Sequence, residues 1–142
     1  MAIVELTNGV PVLVDTVNMP TTGSDRKRRV DAIAVAEWIT AHGPSQAFVE
    51  RAQALPRQGA SSGFSYGRSV GVVEAVVALH RIPMQLIEPS VWKRKLHLHG
   101  GDKEGARALA LRLFPQQHAL LARKSDHHRA EAALLVIASL PS

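Results

Sequence analysis

The chain has 142 residues, 46% of them hydrophobic and only 4% aromatic, with a formal net charge of +5. That is chain enough for one domain with a real, largely aliphatic core, which excludes wholesale disorder. The sequence contains no cysteine, which excludes disulfide scaffolds, thiolate zinc sites and thiol nucleophiles. No apolar run approaches the roughly 20 residues that span a bilayer, and no basic segment precedes an apolar one at the start. No membrane partner and a cytoplasmic location are therefore expected.

The charge is unevenly spread. Residues 1–80 carry 7 basic and 7 acidic side chains, whereas residues 81–129 carry 10 basic and 4 acidic ones. A basic half beside a neutral half suits a polyanion, because clustered Lys and Arg neutralise phosphates.

In chain order, Ala2–Leu6 and Val10–Val14 flank Thr7-Asn8-Gly9 and predict a β-hairpin, since Asn-Gly supplies the positive φ of a tight turn. Residues 18–29 read as a polar loop with the basic run Arg26-Lys27-Arg28-Arg29. A helix is expected from the N-cap Asp31 to His42, buried through Ile33, Ala34, Trp38 and Ile39 and stopped by Gly43-Pro44. A strand, Gln46–Glu50, then leads into a polar connection over 52–63 and a helix over Phe64–His80, apolar at Val70, Val73, Val76 and Val77. Met84–Ile87 reads as a strand closed by Pro89, and Trp92–Gly101 as a basic, His-containing loop. Asp102 caps a helix to Phe114, and Ser125 or Asp126 caps a last one reaching Leu140. The order β-β-α-β-α-β-α-α predicts an α/β fold with a mixed sheet flanked by helices and a right-handed crossover.

Few residues invite chemistry. Glu50 stands at the carboxyl end of an apolar strand, where open α/β sheets form their ligand crevice, although a strand-end charge facing water fits equally. In the run Ser125–Glu131, His128 and Glu131 are three apart and His127 and Glu131 four apart. Either pair can present an imidazole and a carboxylate from one helix face to a divalent cation or a water. Asp126 fits the dipole of the helix start. The stretch from Arg57 to Arg68 mixes guanidinium, hydroxyl and aromatic groups, which suits phosphates and an exposed base. Tyr66 in that stretch reads better as packing of the helix start, and His97 and His99 as a solvated loop.

Taken in order, Phe48-Val49-Glu50, Gly67-x-x-x-Gly71, Pro89-x-x-Trp92-Lys93, Asp102-Lys103-Glu104 and His128-x-x-Glu131-Ala132 resemble the RuvC-type Holliday-junction resolvases of the RNase H-like superfamily, from about residue 10 to 140. The resemblance implies a single RNase H-like domain over residues 1–142. It also implies an endonuclease that hydrolyses phosphodiesters in branched DNA with Mg²⁺ (or Mn²⁺) held by acidic residues. Glu50 takes the place of the family's fourth-strand carboxylate, Glu131 that of the last-helix acid and His128 that of the group one turn earlier, with Asp126 assisting. Glu50 and Glu131 are then expected to share a cation. A four-way junction would be bound through Arg57, Gln58, Ser61, Ser62, Phe64, Arg68, Lys93, Arg94 and Lys95. A homodimer is expected through the helix carrying Gly67 and Gly71. One departure stands out: the family's first strand ends in an Asp that bridges both metals, and no such segment is found. In one register Ala2–Leu6 is the second strand and the central first strand is absent. In the other, Ala2–Leu6 is the first strand, with Glu5 in place of the Asp. The expectation is of a junction binder that cuts poorly, or of an inactive relative that keeps the fold.

Overall fold

The computed structural model describes residues 1–24, 28–51, 53, 59–99 and 101–141. The chain divides into two compact units: Met1–Asn18 with Ile87–Ser142, and Met19–Leu86.

The first unit begins with the antiparallel hairpin of β1 (Ala2–Thr7) and β2 (Val10–Thr16), turning at Asn8 and Gly9 with φ of 54° and 79°. Both turn positions are left-handed, which Asn and Gly adopt at least cost. The register slips between Ile3 and Val4. That bulge leaves Val14 as the extra, exposed residue, so that Leu13 and Thr16, three apart, both turn inward. Helices follow at α3 (Pro89–Lys95), α4 (Lys103–Leu113), the single turn α5 (His118–Leu121) and α6 (His127–Ser139). Helix α6 packs on β1, β2, α3, α4 and α5, and is the hub of this unit. Ala106 and Ala110 of α4 and Ala130, Ala133 and Ala138 of α6 are buried, and small residues let helix axes approach closely. Trp92, Phe114, Leu121 and Leu134 fill the remaining space as fully buried side chains. Asp102 caps α4 by accepting the Gly105 N–H at 2.8 Å. Arg107 reaches from α4 to the carbonyls of Leu121 and Ala122 at 3.2 and 3.0 Å, satisfying acceptors that the end of α5 leaves open.

The second unit holds the short antiparallel pair β3 (Thr21–Thr22) and β4 (Arg29–Val30), then α1 (Ala32–His42), β5 (Ala47–Glu50), α2 (Ala60–Leu79) and β6 (Met84–Ile87). Asp31 caps α1 by accepting from the N–H groups of Ile33 and Ala34, both at 3.1 Å, and Gly43 ends it in the left-handed region. The Ala47 N–H bonds the Pro83 carbonyl at 2.9 Å. Both residues lie at strand starts, so β5 and β6 run the same way and α2 is their crossover. Helices α1 and α2 pack together. The His80 ring joins them: Nδ1 donates to the Val76 carbonyl at 2.8 Å, which leaves Nε2 to accept from Thr40 Oγ1 at 3.1 Å. Among the described residues the strands pair as β1–β2, β3–β4 and β5–β6, an α/β fold that mixes antiparallel and parallel pairing.

Several expectations need correction. Pro89 opens α3 rather than merely closing a strand, because its fixed φ suits the first helical position; Trp92–Lys95 is therefore helical, not loop. Helix α2 begins at Ala60, four residues before Phe64. The polar loop over 18–29 contains the β3–β4 pair, with Arg29 in β4, whereas Arg26 and Lys27 lie outside the described residues. The buried positions of α1 are Val35 and Ile39, four apart, and Ile33 lies across the helix from them in solvent.

Candidate functional site

In the first unit the chemistry gathers where α6 begins. The chain approaches α6 through a 3₁₀ turn at Lys124–Asp126. Asp126 is buried, its Oδ2 accepts the Arg123 N–H at 2.9 Å, and its Oδ1 lies 3.8 Å from Arg129. Arg129 Nε in turn donates to Asn18 Oδ1 at 3.0 Å, tying α6 to the end of β2. These bonds occupy the Asp126 carboxylate in holding the helix start. His127 donates from Nδ1 to the Lys124 carbonyl at 2.9 Å, and its ring sits 4.0 Å from that of His128.

Glu131 is the convergence point. His128 Nδ1 lies 3.8 Å from its Oε2, as the three-residue spacing on one helix face requires. Lys93 of α3 donates from Nζ to its Oε1 at 3.2 Å, with the two side chains 21% and 24% exposed. The Lys93 ammonium also lies 5.1 Å from the Trp92 ring centroid. Partial desolvation and the neighbouring His127 hold His128 below its ordinary pKa, with Glu131 acting against them. Of the other basic residues of α3, Lys95 donates to the Leu140 carbonyl at 3.3 Å, and Arg94 is exposed.

In the second unit, half-buried Glu50 ends β5. Burial, and then the charge of Glu50, push the Tyr66 phenol above its usual pKa, which places Tyr66 in the electrostatic neighbourhood of Glu50. Ser61, Ser62 and Arg68 lie exposed on the N-terminal half of α2, and Phe64 there is 74% exposed. Arg57 and Gln58 lie outside the described residues. A Cβ built on Gly67 or Gly71 would meet nothing within 4 Å, so this face of α2 is open. Between α1 and α2 lies an apolar groove of about 560 Å³ lined by Ile33, Ala36, Val76 and Leu79 among others.

The fold thus brings Lys93, His128 and Glu131 together in one unit and Tyr66 toward Glu50 in the other. Within each unit, no three His, Asp or Glu side chains among the described residues are arranged to hold a metal ion. Sequence reasoning did not find the Lys93–Glu131 pair, whose members are 38 residues apart and linked by no local pattern. It also set Tyr66 aside as packing.

No protein-family model and no curated protein matches the chain. No helix among the described residues is long and apolar enough to cross a membrane. Solved structures do match. RuvC of T. thermophilus in complex with a Holliday junction substrate aligns with a TM-score of 0.69 at 16% identity, over 96% of this chain and 82% of that one. A second Thermus thermophilus RuvC structure aligns with a TM-score of 0.57 at 17% identity, over 84% of this chain and 81% of that one. At such low identity the likeness is one of architecture, and on it the chain has a RuvC-like α/β fold.

Proposed function

We propose that the chain is a branched-DNA protein of the resolvase type, a single RuvC-type domain that pairs as a homodimer on a four-way junction. Its activity is structure-specific endonucleolytic cleavage of DNA, weak in this chain by itself. The observation that carries this reading is the fold match to a RuvC bound to a Holliday junction substrate. The surface chemistry agrees with it. Arg94 and Arg68 are exposed cations for phosphates, Ser61 and Ser62 offer hydroxyls at the start of α2, and Phe64 is free in solvent to stack on an unpaired base. Arg57, Gln58, Lys93 and Lys95 complete the proposed contact set. The open Gly67–Gly71 face of α2 is the proposed dimer contact.

Cleavage of this type implies Mg²⁺ or Mn²⁺, with Glu50, Glu131 and His128 as proposed ligands. The donor set of the first unit does not fit such an ion. It offers one carboxylate and one imidazole, and an ammonium already stands on the carboxylate. A small dication demands several oxygen ligands. Junction binding without efficient cutting is therefore the behaviour that these residues support, and it favours the second reading, a binding relative that keeps the fold.

The test is a labelled four-way junction with Mg²⁺ or Mn²⁺, using wild type beside Glu50→Gln and Glu131→Gln. Expected are preferential binding of the junction over linear duplex and little cutting. If Arg57, Arg68, Lys93, Arg94 and Lys95 all reach phosphates, log affinity should fall against log salt with a slope of about −4.5. Robust cutting lost in Glu50→Gln would restore the full nuclease reading. Equal affinity for junction and duplex would defeat both.

A further inference from the structure

We infer that the apolar groove between α1 and α2 is the centre of a two-fold contact with a second copy of this chain, in which Glu37 of each copy meets Arg81 of the other. The inference rests on the homodimer of the resolvase reading and gives that dimer an apolar centre and a charged rim. One row on α2 leads into the contact. Gly67, Gly71, Ala75 and Leu79 are spaced four apart, so they stack along one helix face, and all four are exposed. A Cβ on either glycine would meet open space, so another backbone can approach there. The row ends at the groove, where Leu79 is 82% exposed and Ile33 of α1 is 73% exposed, with Ala36 and Val76 lining the space beside them. Large aliphatic side chains standing in water next to an apolar groove place a knob and a hole on one surface. A surface that carries both halves of a fit is complementary to itself, and a two-fold axis joins it to its copy.

The rim charges point to the same occupant. Glu37 lines the groove, and Arg81 directly follows groove-lining His80. Both are exposed, and neither makes an ion pair or side-chain hydrogen bond with a described residue. One unpaired charge of each sign lets a two-fold axis form the same pair twice, which fixes the register of the contact. Nucleic acid suits this place poorly, because the lining is largely aliphatic and the rim carboxylate repels phosphate. The α2 row is about 18 Å long at helical rise. A contact of that extent lies at the small end of specific interfaces, so the dimer should dissociate in the micromolar range.

The test is the oligomeric state of the full chain without DNA, read by sedimentation velocity across micromolar concentrations, with circular dichroism as the check on folding. Wild type should pass from monomer to dimer as concentration rises. Because the two-fold axis repeats every contact, Leu79→Ser should weaken dimerisation by about a hundredfold. Glu37→Arg and Arg81→Glu should each dimerise more weakly than wild type, since each sets like charges against one another. Mixed in equal amounts, these two variants should dimerise again, because each supplies the charge that the other needs at both ends of the contact. The mixing measurement also decides the matter should Leu79→Ser be poorly folded. A mixture no more dimeric than its parts, or Leu79→Ser dimers as strong as those of wild type, would overturn the inference. The homodimer reading would survive that result wherever wild type still dimerises. A wild-type chain that stays monomeric throughout would overturn the inference and the homodimer together, leaving junction preference to the DNA assay.

Discussion

The two units use their apolar residues differently. The first buries Ile3, Leu13, Trp92, Phe114, Leu121 and Leu134 around α6, with alanines closing the helix contacts. The second buries Val35, Ile39, Val76 and Val77, but leaves Ile33 73% and Leu79 82% exposed beside the α1–α2 groove, and Phe64 in solvent on α2. Burial of a large aliphatic side chain stabilises by roughly 1.5–3 kcal/mol, so the first unit draws more on its core, although Leu6, Val10, Val14, Val91 and Leu113 stay exposed on it. The second buries fewer and gathers exposed Ile33 and Leu79 beside one apolar groove, the usual mark of an interaction face. The carboxylates follow the same division. Glu131 stands in a tight framework with a built-in counter-ion, and Glu50 ends a strand of the more open unit.

The sharpest way to break this comparison is to cut into both units. Trp92→Ala or Leu134→Ala should cost about 3–5 kcal/mol, because each leaves a cavity among fully packed neighbours. Ile33→Ser and Leu79→Ser should change stability by less than about 0.5 kcal/mol, since both side chains already face water. Urea unfolding of the four variants decides the matter, and comparable losses in both sets would mean that the second unit is as tightly packed as the first.

Next comes Asp126. Its buried carboxylate accepts the Arg123 N–H and stands beside Arg129. Asp126→Ala strands a donor at the entry to α6 and should cost about 1–3 kcal/mol, whereas Asp126→Asn, which keeps an acceptor oxygen, should cost less. A loss of junction cutting at unchanged stability would instead support the assisting role that the sequence suggested.

Much of this was legible in the sequence wherever local chemistry dictates local geometry. Asn8-Gly9 turns the hairpin, Asp31 and Gly43 bound α1, Asp102 caps α4, and Met84–Ile87 is a strand throughout. The misses lie where the outcome depends on a distant neighbour. Ile33 has the composition of a core residue, but Val35 and Ile39 hold the packed face. Lys93 has the composition of a phosphate contact, and nothing local shows that its ammonium also meets a carboxylate from a helix 38 residues on. Charge density along a chain reports how many cations it carries, not which of them an internal anion has already taken.

The glycines sharpen the comparison at about 1 kcal/mol. Alanine is worth roughly 0.8–1 kcal/mol over glycine inside a helix. Gly71, with open space where its Cβ would go, should return that gain as Gly71→Ala in the monomer. If the face is a dimer contact, the same substitution should weaken dimerisation, read by sedimentation across concentration. Gly105 answers oppositely. A Cβ there collides with the Asp102 carboxylate that caps α4, so Gly105→Ala must displace the cap and should give no gain or a net loss. A stabilised Gly105→Ala would mean that the cap is worth less than its geometry suggests.

The smallest effect is a pH dependence, and its sign is fixed. His128 in the folded chain lies below its ordinary pKa of 6.5, held there by partial desolvation and by His127. The unfolded chain therefore takes up this proton first as pH falls, and stability that is full above 6.5 declines between that value and the lower folded one. The ring is largely exposed, so solvent mutes the effect. Urea unfolding at pH 7.5 and 5.5 should show a loss on acidification that is smaller in His128→Gln than in wild type. Glu131 opposes the shift, since its carboxylate favours the imidazolium. Glu131→Gln should therefore lower the His128 pKa further and steepen the acid loss, with the imidazole titration followed directly by NMR. An upward shift in that variant would mean that Glu131 does not favour the imidazolium, and that the charges at the start of α6 are not arranged as the 3.8 Å contact between the two side chains implies.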